Sequence, residues 1–189
     1  AAGNFWIFGG YAYNKAGTTL QQLNDLWQFN PTTGEWTWWG GSDETNDVGV
    51  WGTKGTPSTN NIPSARYAAM YWKGKDGKFW LFGGYGVDKN GTTGRLNDTW
   101  CFDPVTKEWT WVHGNDVVDG LGVYGDRGVA ASSNIPGARF AAGVGDNWVD
   151  ANGKLWLFGG NGFGAAGAGS LLQDVRCFDP ATNFSILLK

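Results

Sequence analysis

Charge is scarce in this chain. Of 189 residues only 16% are Asp, Glu, Lys or Arg, and they leave a net charge of −3. With no basic field to hold a phosphate backbone, nucleic acid is not an expected partner. Histidine occurs once, at His113, and cysteine twice, at Cys101 and Cys177. One imidazole and two thiols make no ligand cluster for zinc or copper, and a Ser-His-Asp triad would have to be built on His113 with no supporting motif. No catalytic residue, metal or cofactor is therefore expected. There is no run of 18 apolar residues, so no membrane span is predicted. An initiating Met is also missing: the chain begins at Ala1, in what reads as the middle of a strand, as a processed product or a piece of a longer polypeptide would.

Against these absences stand 32 glycines, 13 tryptophans and an aromatic content of 16%. Such a composition, without helical periodicity, predicts many short strands joined by tight turns. The strands recur. Phe5-Trp6-Ile7-Phe8-Gly9-Gly10 returns as Phe79-Trp80-Leu81-Phe82-Gly83-Gly84 and as Leu155-Trp156-Leu157-Phe158-Gly159-Gly160, 74 and then 76 residues further on. Each is followed by a second segment: Leu23-Asn24-Asp25-Leu26-Trp27-Gln28-Phe29-Asn30-Pro31, Leu96-Asn97-Asp98-Thr99-Trp100-Cys101-Phe102-Asp103-Pro104 and Leu172-Gln173-Asp174-Val175-Arg176-Cys177-Phe178-Asp179-Pro180. A third segment reads Glu35-Trp36-Thr37-Trp38, Glu108-Trp109-Thr110-Trp111 and, more weakly, Asn183-Phe184-Ser185-Ile186. A fourth reads Ala65-Arg66-Tyr67-Ala68-Ala69 and Ala138-Arg139-Phe140-Ala141-Ala142.

We name the Arg-containing strand A, the Gly-Gly strand B, the Asn/Gln-Asp strand C and the third segment strand D. Strand A is rich in Ala, whereas B, C and D carry Trp, Phe and Leu. That gradient suits a wedge-shaped blade whose inner strand crowds a central axis. Asp76-Gly77 and Asn152-Gly153 predict type I′ hairpins between A and B, and Asp-Pro segments predict the C–D turns. Cys101 and Cys177 fill the same slot of successive copies. Packed sheets lie about 10 Å apart, beyond the roughly 7 Å Cα separation a disulfide tolerates, so both are expected as free, buried thiols.

A hydrophobic strand ending in Gly-Gly, then Asn-Asp-x-Trp-x-Phe-Asp-Pro, then a Trp a few residues on, resembles the kelch repeat, and the style is similar to galactose-oxidase-like and bacterial kelch propellers. The resemblance implies an all-β, kelch-type β-propeller with about three four-stranded blades of an incomplete ring. Blade 1 supplies strands B–D over 4–39, blade 2 covers 65–112 and blade 3 covers 138–188. Long inter-blade loops occupy 40–64 and 113–137. The remaining blades are expected from the same polypeptide or from other chains.

Repeat logic sorts the candidate residues, since a single site should break the repeat. Asp25, Asp98 and Asp174 recur and are expected as acceptors for backbone N–H groups. Arg66 and Arg139, near the channel, are candidates for binding an anion, but a structural hydrogen-bonding role is the preferred reading. His113 is expected in a solvated loop. The long D–A loops match without a gap, including Trp51 against Tyr124, which implies ordered backbone. The B–C connections, Tyr11 to Gln22, Tyr85 to Arg95 and Asn161 to Leu171, are also long. Both sets emerge on one face, so Trp51, Tyr124, Tyr11 and Tyr85 are candidate binding residues there. Of three Asn-x-Ser/Thr sequons, at Asn90, Asn97 and Asn183, Asn90 is the candidate glycosylation site. The expected function is a non-catalytic interaction module for a protein or glycan partner, at the cell surface or outside the cell, with a cytoplasmic setting left open. The alternatives are a piece of a kelch-type sugar-processing enzyme, mutarotase or oxidase-like, and a structural subunit of an extracellular assembly.

Overall fold

The computed structural model describes residues 3–140, 147–167 and 169–188. Blade 1 is the sheet β1 (Phe5–Tyr13), β2 (Leu20–Asn30) and β3 (Glu35–Gly40). Blade 2 comprises β4 (Arg66–Tyr67), β5 (Met70–Lys73), β6 (Phe79–Val87), β7 (Thr93–Asp103) and β8 (Glu108–His113). Blade 3 comprises β9 (Arg139–Phe140), β10 (Asn147–Val149), β11 (Leu155–Phe158), β12 (Asn161–Phe163), β13 (Gly169–Leu171), β14 (Val175–Asp179) and β15 (Phe184–Leu187). All pairings are antiparallel, no helix occurs among the described residues, and the three blades form no closed ring there. The rest of the strand A expected in blade 3, 141–146, lies outside the described residues.

More elements appear than four in blade 2 because strand A breaks at Ala68, with φ of +52°, opposite the bulge that the Gly-Gly pair makes in strand B. Register shifts between Phe8 and Gly10 and between Phe82 and Gly84. In blade 3 the interruption is complete enough to divide strands B and C. At Gly9 and Gly83 φ is +59° and +62°, and a Cβ there would stand 2.8 Å from the carbonyl oxygen of Arg66 and 2.6 Å from that of Arg139. Gly9 and Gly83 are thus where the next blade's inner strand presses in, and only a residue without a side chain admits it.

The cores lie between blades, as radial stacking requires. Leu26, Trp51, Leu81, Trp100, Phe102, Trp109 and Trp111 fill the space between blades 1 and 2 with Trp6 and Phe8. Met70, Trp72, Trp80, Phe82, Cys101, Leu155 and Leu157 do so between blades 2 and 3. Burial pushes the Cys101 thiol up to about 12 and that of Cys177 up to about 11, and both cysteines are free. On blade 1 the face turned away from blade 2 is bare: Trp36 and Trp38 are 50% exposed, whereas their counterparts Trp109 and Trp111 are 6% and 9% exposed.

The turns depart from expectation in two ways. The A–B connection at 74–78 closes with Gly77 N–H donating to the Gly74 carbonyl, and of Asp76 and Gly77 only Gly77 has positive φ. A type I′ turn needs both central residues there, so this is a wider loop with glycine in the left-handed position; 150–154 repeats it. The B–C connections are mostly strand: β1 pairs with β2 out to Tyr13↔Leu20 and β6 with β7 out to Val87↔Thr93. Only short turns remain, organised by Asn14 Oδ1 and Asp88 Oδ1 accepting backbone N–H groups.

Replacing Gly83 by Ala should destabilise the fold by about 1–3 kcal/mol, the usual range for backbone strain, and by more than Gly77→Ala, where a Cβ meets nothing within 4 Å. Urea unfolding midpoints of the two variants check this; a Gly83→Ala midpoint no lower than that of Gly77→Ala would contradict the inter-blade contact.

Candidate functional site

Arg66 and Arg139 are buried and engaged. Arg66 lays both terminal nitrogens on the carboxylate of Asp98 at 2.7 Å, and its remaining donors reach the Ser64 carbonyl, the Ser64 hydroxyl and the Gly83 carbonyl. All five N–H groups are used, which leaves none for a ligand. Arg139 repeats the arrangement with Asp174 at 2.5 and 2.9 Å and with the Gly159 carbonyl. The two arginines therefore tie strand A to strand C instead of facing an anion. The aspartates are acceptors, as expected, but of side-chain donors: Asp25 and Asp98 also take the indole N–H of Trp27 and Trp100, and Asp174 takes Nε of Arg176.

Trp51 and Tyr124 are likewise structural. Trp51 sits 5.4 Å from Trp100 and 5.1 Å from Trp111, with its indole N–H on the Val48 carbonyl. Tyr124 covers the guanidinium of Arg176 at 4.1 Å. The D–A loops that carry them cross onto the next blade's outer strand. Asn61 donates to the Trp109 carbonyl and Asn134 to the Ser185 carbonyl, while Gly55 and Gly128 donate to Trp111 and Leu187. Asn24 and Asn97 hold both ends of each loop, accepting from Ser42 or Asn115 and donating to the Pro63 or Pro136 carbonyl. The loops are ordered, but as latches and not as a free surface.

A row of partly exposed aromatic residues lies elsewhere. Tyr11 of β1 packs on Tyr67 of β4 at 5.3 Å, Tyr67 on Tyr85 of β6 at 5.6 Å, and Tyr85 on Phe140 of β9 at 5.9 Å. Four rings from three blades thus form one continuous row on the inner strands, beside the ends of the D–A loops. Tyr11 is exposed and the other three are half-buried. Arg95 closes the row. Its guanidinium lies 5.8 Å from the Phe140 ring and 5.0 Å from that of Phe163, within cation–π range, and donates through Nε and Nη2 to Asn161 Oδ1. Asp119 stands 4.0 Å from Nη1.

Two of the expected residues, Tyr11 and Tyr85, belong to this row. Tyr67 and Phe140 recur in strand A and Arg95 lies in an apparent connection, so repeat logic does not single them out. A signal for Arg95 existed: the positions paired with Tyr11, Tyr85 and Asn161 are Gln22, Arg95 and Leu171, so the repeat breaks there. Burial first, then the charges of Tyr85 and Tyr11, raise the Tyr67 phenol above its ordinary value, which keeps its hydroxyl a donor. Asn90 is exposed at the tip of the turn after β6, whereas Asn97 is fully buried. His113 ends β8 instead of lying in a solvated loop, with Nε2 2.7 Å from the Ser132 carbonyl, and burial lowers its pKa.

Breaking a buried ion pair typically costs about 3–5 kcal/mol, so Asp98→Asn should lower stability by that order in chemical denaturation. For Asp174, burial opposes ionisation, but hydrogen bonds and charge from Arg139 and then Arg176 outweigh it and hold the carboxyl below its usual value. A depressed carboxylate stabilises the fold above its unfolded pKa and loses that contribution as pH falls through the folded one. Unfolding midpoints should therefore drop on acidification below about pH 4, with a shallower drop in Asp174→Asn.

The Kelch motif family matches residues 75–110, strands B to D of blade 2. A solved structure titled "Structure of YjhT" aligns with 100% of this chain and 49% of its own length, at a TM-score of 0.53 and 16% identity. This chain spans about half of that protein, and at such identity the likeness speaks for the fold alone. No curated protein matches the sequence. Blade 2 thus carries a kelch motif, its glycine bulge recurs in strand B of blade 1, and the fold is that of kelch-type propeller blades.

Proposed function

We propose that the chain is a non-catalytic interaction module that receives a protein or glycan partner on the row Tyr11, Tyr67, Tyr85 and Phe140. The observation that carries this reading is the continuity of the row: four partly solvent-facing rings, in tilted and edge-on contact, cross two blade boundaries instead of filling a core. Aromatic faces of this kind gain from stacking against apolar C–H surfaces, and tyrosine hydroxyls add directional bonding. Arg95 and Asn161, where the repeat is broken, supply a charged, hydrogen-bonding end. The D–A latches hold the rigid frame behind the row. The exposed sequon at Asn90 suits a cell-surface or extracellular setting.

The bare aromatic face of blade 1 takes a further blade, from the same polypeptide or another chain. Trp36 and Trp38 have the residue types that are buried in blade 2, and leaving such a patch in water favours association. Expressed by itself, the chain should self-associate at micromolar concentration in sedimentation analysis; a monodisperse monomer would count against the covered face.

For the row, a glycan array and a pull-down identify a partner, whose affinity is then measured by calorimetry. Tyr67→Ala and Tyr85→Ala should each weaken it at least about tenfold, as loss of a central aromatic anchor does. Val105→Ala, exposed in the C–D turn at the opposite end of the blade 2 strands, should leave it unchanged. Full affinity in both row variants refutes the assignment.

A further inference from the structure

Blade 1 has an open inner edge. In blade 2, β6 is flanked by β7 on one side and by β4 and β5 on the other, with Arg66 opposite Gly86, Tyr67 opposite Tyr85 and Met70 opposite Phe82. The corresponding strand, β1, pairs with β2 alone among the described strands. Its other side therefore presents main-chain N–H and C=O groups with no ladder partner, a template on which an extended segment can add.

Side-chain packing is open along the same edge. Between blades 2 and 3, Met70 and Trp72 of β5 are buried against Leu155 and Leu157. The core between blades 1 and 2 has no counterpart of either among the described residues, and a groove of about 640 Å³ lies there. Phe5, Ile7 and Phe8 of β1 line one wall, and Tyr67, Ala69 and Trp72 of blade 2 line the other. Glycine contacts give the same picture. A Cβ at Gly84 would stand 2.9 Å from the Tyr67 carbonyl oxygen and 3.1 Å from Cβ of Ala69, whereas one at Gly10 meets nothing within 4 Å. The space that strand A fills in blade 2 is open in blade 1.

One charged group states what would recognise an incoming segment. Asp98 and Asp174 each receive both terminal nitrogens of an arginine from strand A of their own blade. Asp25 stands in the same slot. It holds the Trp27 indole N–H at 2.6 Å, as Asp98 holds that of Trp100, but makes no ion pair among the described residues. The carboxylate is half-buried, in a setting that pairs it with a guanidinium in both other blades. Beside it, the Gly9 carbonyl occupies the place of the Gly83 and Gly159 carbonyls, which accept from those same arginines.

We propose that this groove receives one extended peptide segment, which adds antiparallel to β1 and sets an arginine on Asp25. The pattern it carries is that of Arg66 to Trp72: an arginine, an aromatic residue next to it, and apolar side chains four and six positions further on. In the register of blade 2 the arginine falls opposite Ala12, the aromatic residue opposite Tyr11, and the two apolar residues opposite Phe8 and Trp6. Main-chain bonds to β1 supply affinity, and the Asp25 pair and the apolar groove supply the choice of sequence. Strand A of a folded second copy is already tied into its own blade by Arg66 and Asp98, so it is not the occupant. The groove faces blade 2, apart from the bare outer face with Trp36 and Trp38, and its occupancy does not depend on a partner for the aromatic row.

The probe is a fluorescently labelled synthetic peptide that copies residues 63–74, titrated into the full chain by anisotropy. It should bind saturably, and amide hydrogen exchange within Phe5–Phe8 should slow in the complex. Citrulline in place of Arg66 of the peptide keeps the shape and removes the charge. It should weaken binding at least about tenfold, as loss of one member of a close charge pair does. Asp25→Asn in the chain should weaken the unmodified peptide to a similar degree, with little further loss on changing to the citrulline peptide, since the two changes remove one interaction. A scrambled peptide of the same composition should bind far more weakly. No saturable binding, unaltered exchange within Phe5–Phe8, equal affinity for the scrambled peptide, or full affinity for the citrulline peptide overturns the proposal.

Discussion

Everything in this fold depends on one residue doing two things at each blade boundary. The backbone carbonyl of Arg66 rests against the bare α-carbon of Gly9 in the preceding blade, while its guanidinium binds the Gly83 carbonyl and Asp98 within its own blade. Arg139 does the same one step later, against Gly83 on one side and with Gly159 and Asp174 on the other. The spacing between sheets, the bulge in strand B and the tie from strand A to strand C are therefore a single linked constraint. A side chain at the glycine, or a shorter cation at the arginine, would disturb two blades at once.

The blade architecture was legible because its determinants are local and repeated. Gly-Gly, Asn-Asp and Trp-x-Trp recur at fixed separations, and only a stacked arrangement gives each copy the same surroundings. The candidate residues were read less well, for two physical reasons. For Trp51 the sequence leaves two readings, a binding aromatic on the surface or a residue that packs its own ordered loop, and the loop in fact folds it into the neighbouring core. For Arg66 and Arg139 the sequence suggests a structural hydrogen-bonding role but not the partners, because the aspartates lie 32 and 35 residues away, a pairing that only the sheet brings about.

Register was the other difficulty. Matching aromatic with aromatic sets Phe184 against Trp109, but the C–D turns of blades 2 and 3 have the same length, and turn length fixes register. Ser185 therefore falls opposite Phe178, as Trp109 falls opposite Phe102. The repeat that looked merely weakened is a substitution at a structural slot. The aromatic row has the opposite history: its members are near-copies, unremarkable one by one, and their meaning lies in being adjacent around an axis.

The D–A loops hydrogen-bond to the outer strand of the blade that comes after them. In evolutionary terms, the heritable module is then not the sheet but a sheet together with the arm that clasps its successor. Gene duplication of such a module would deliver each new copy already fitted with the fastener that its neighbour requires.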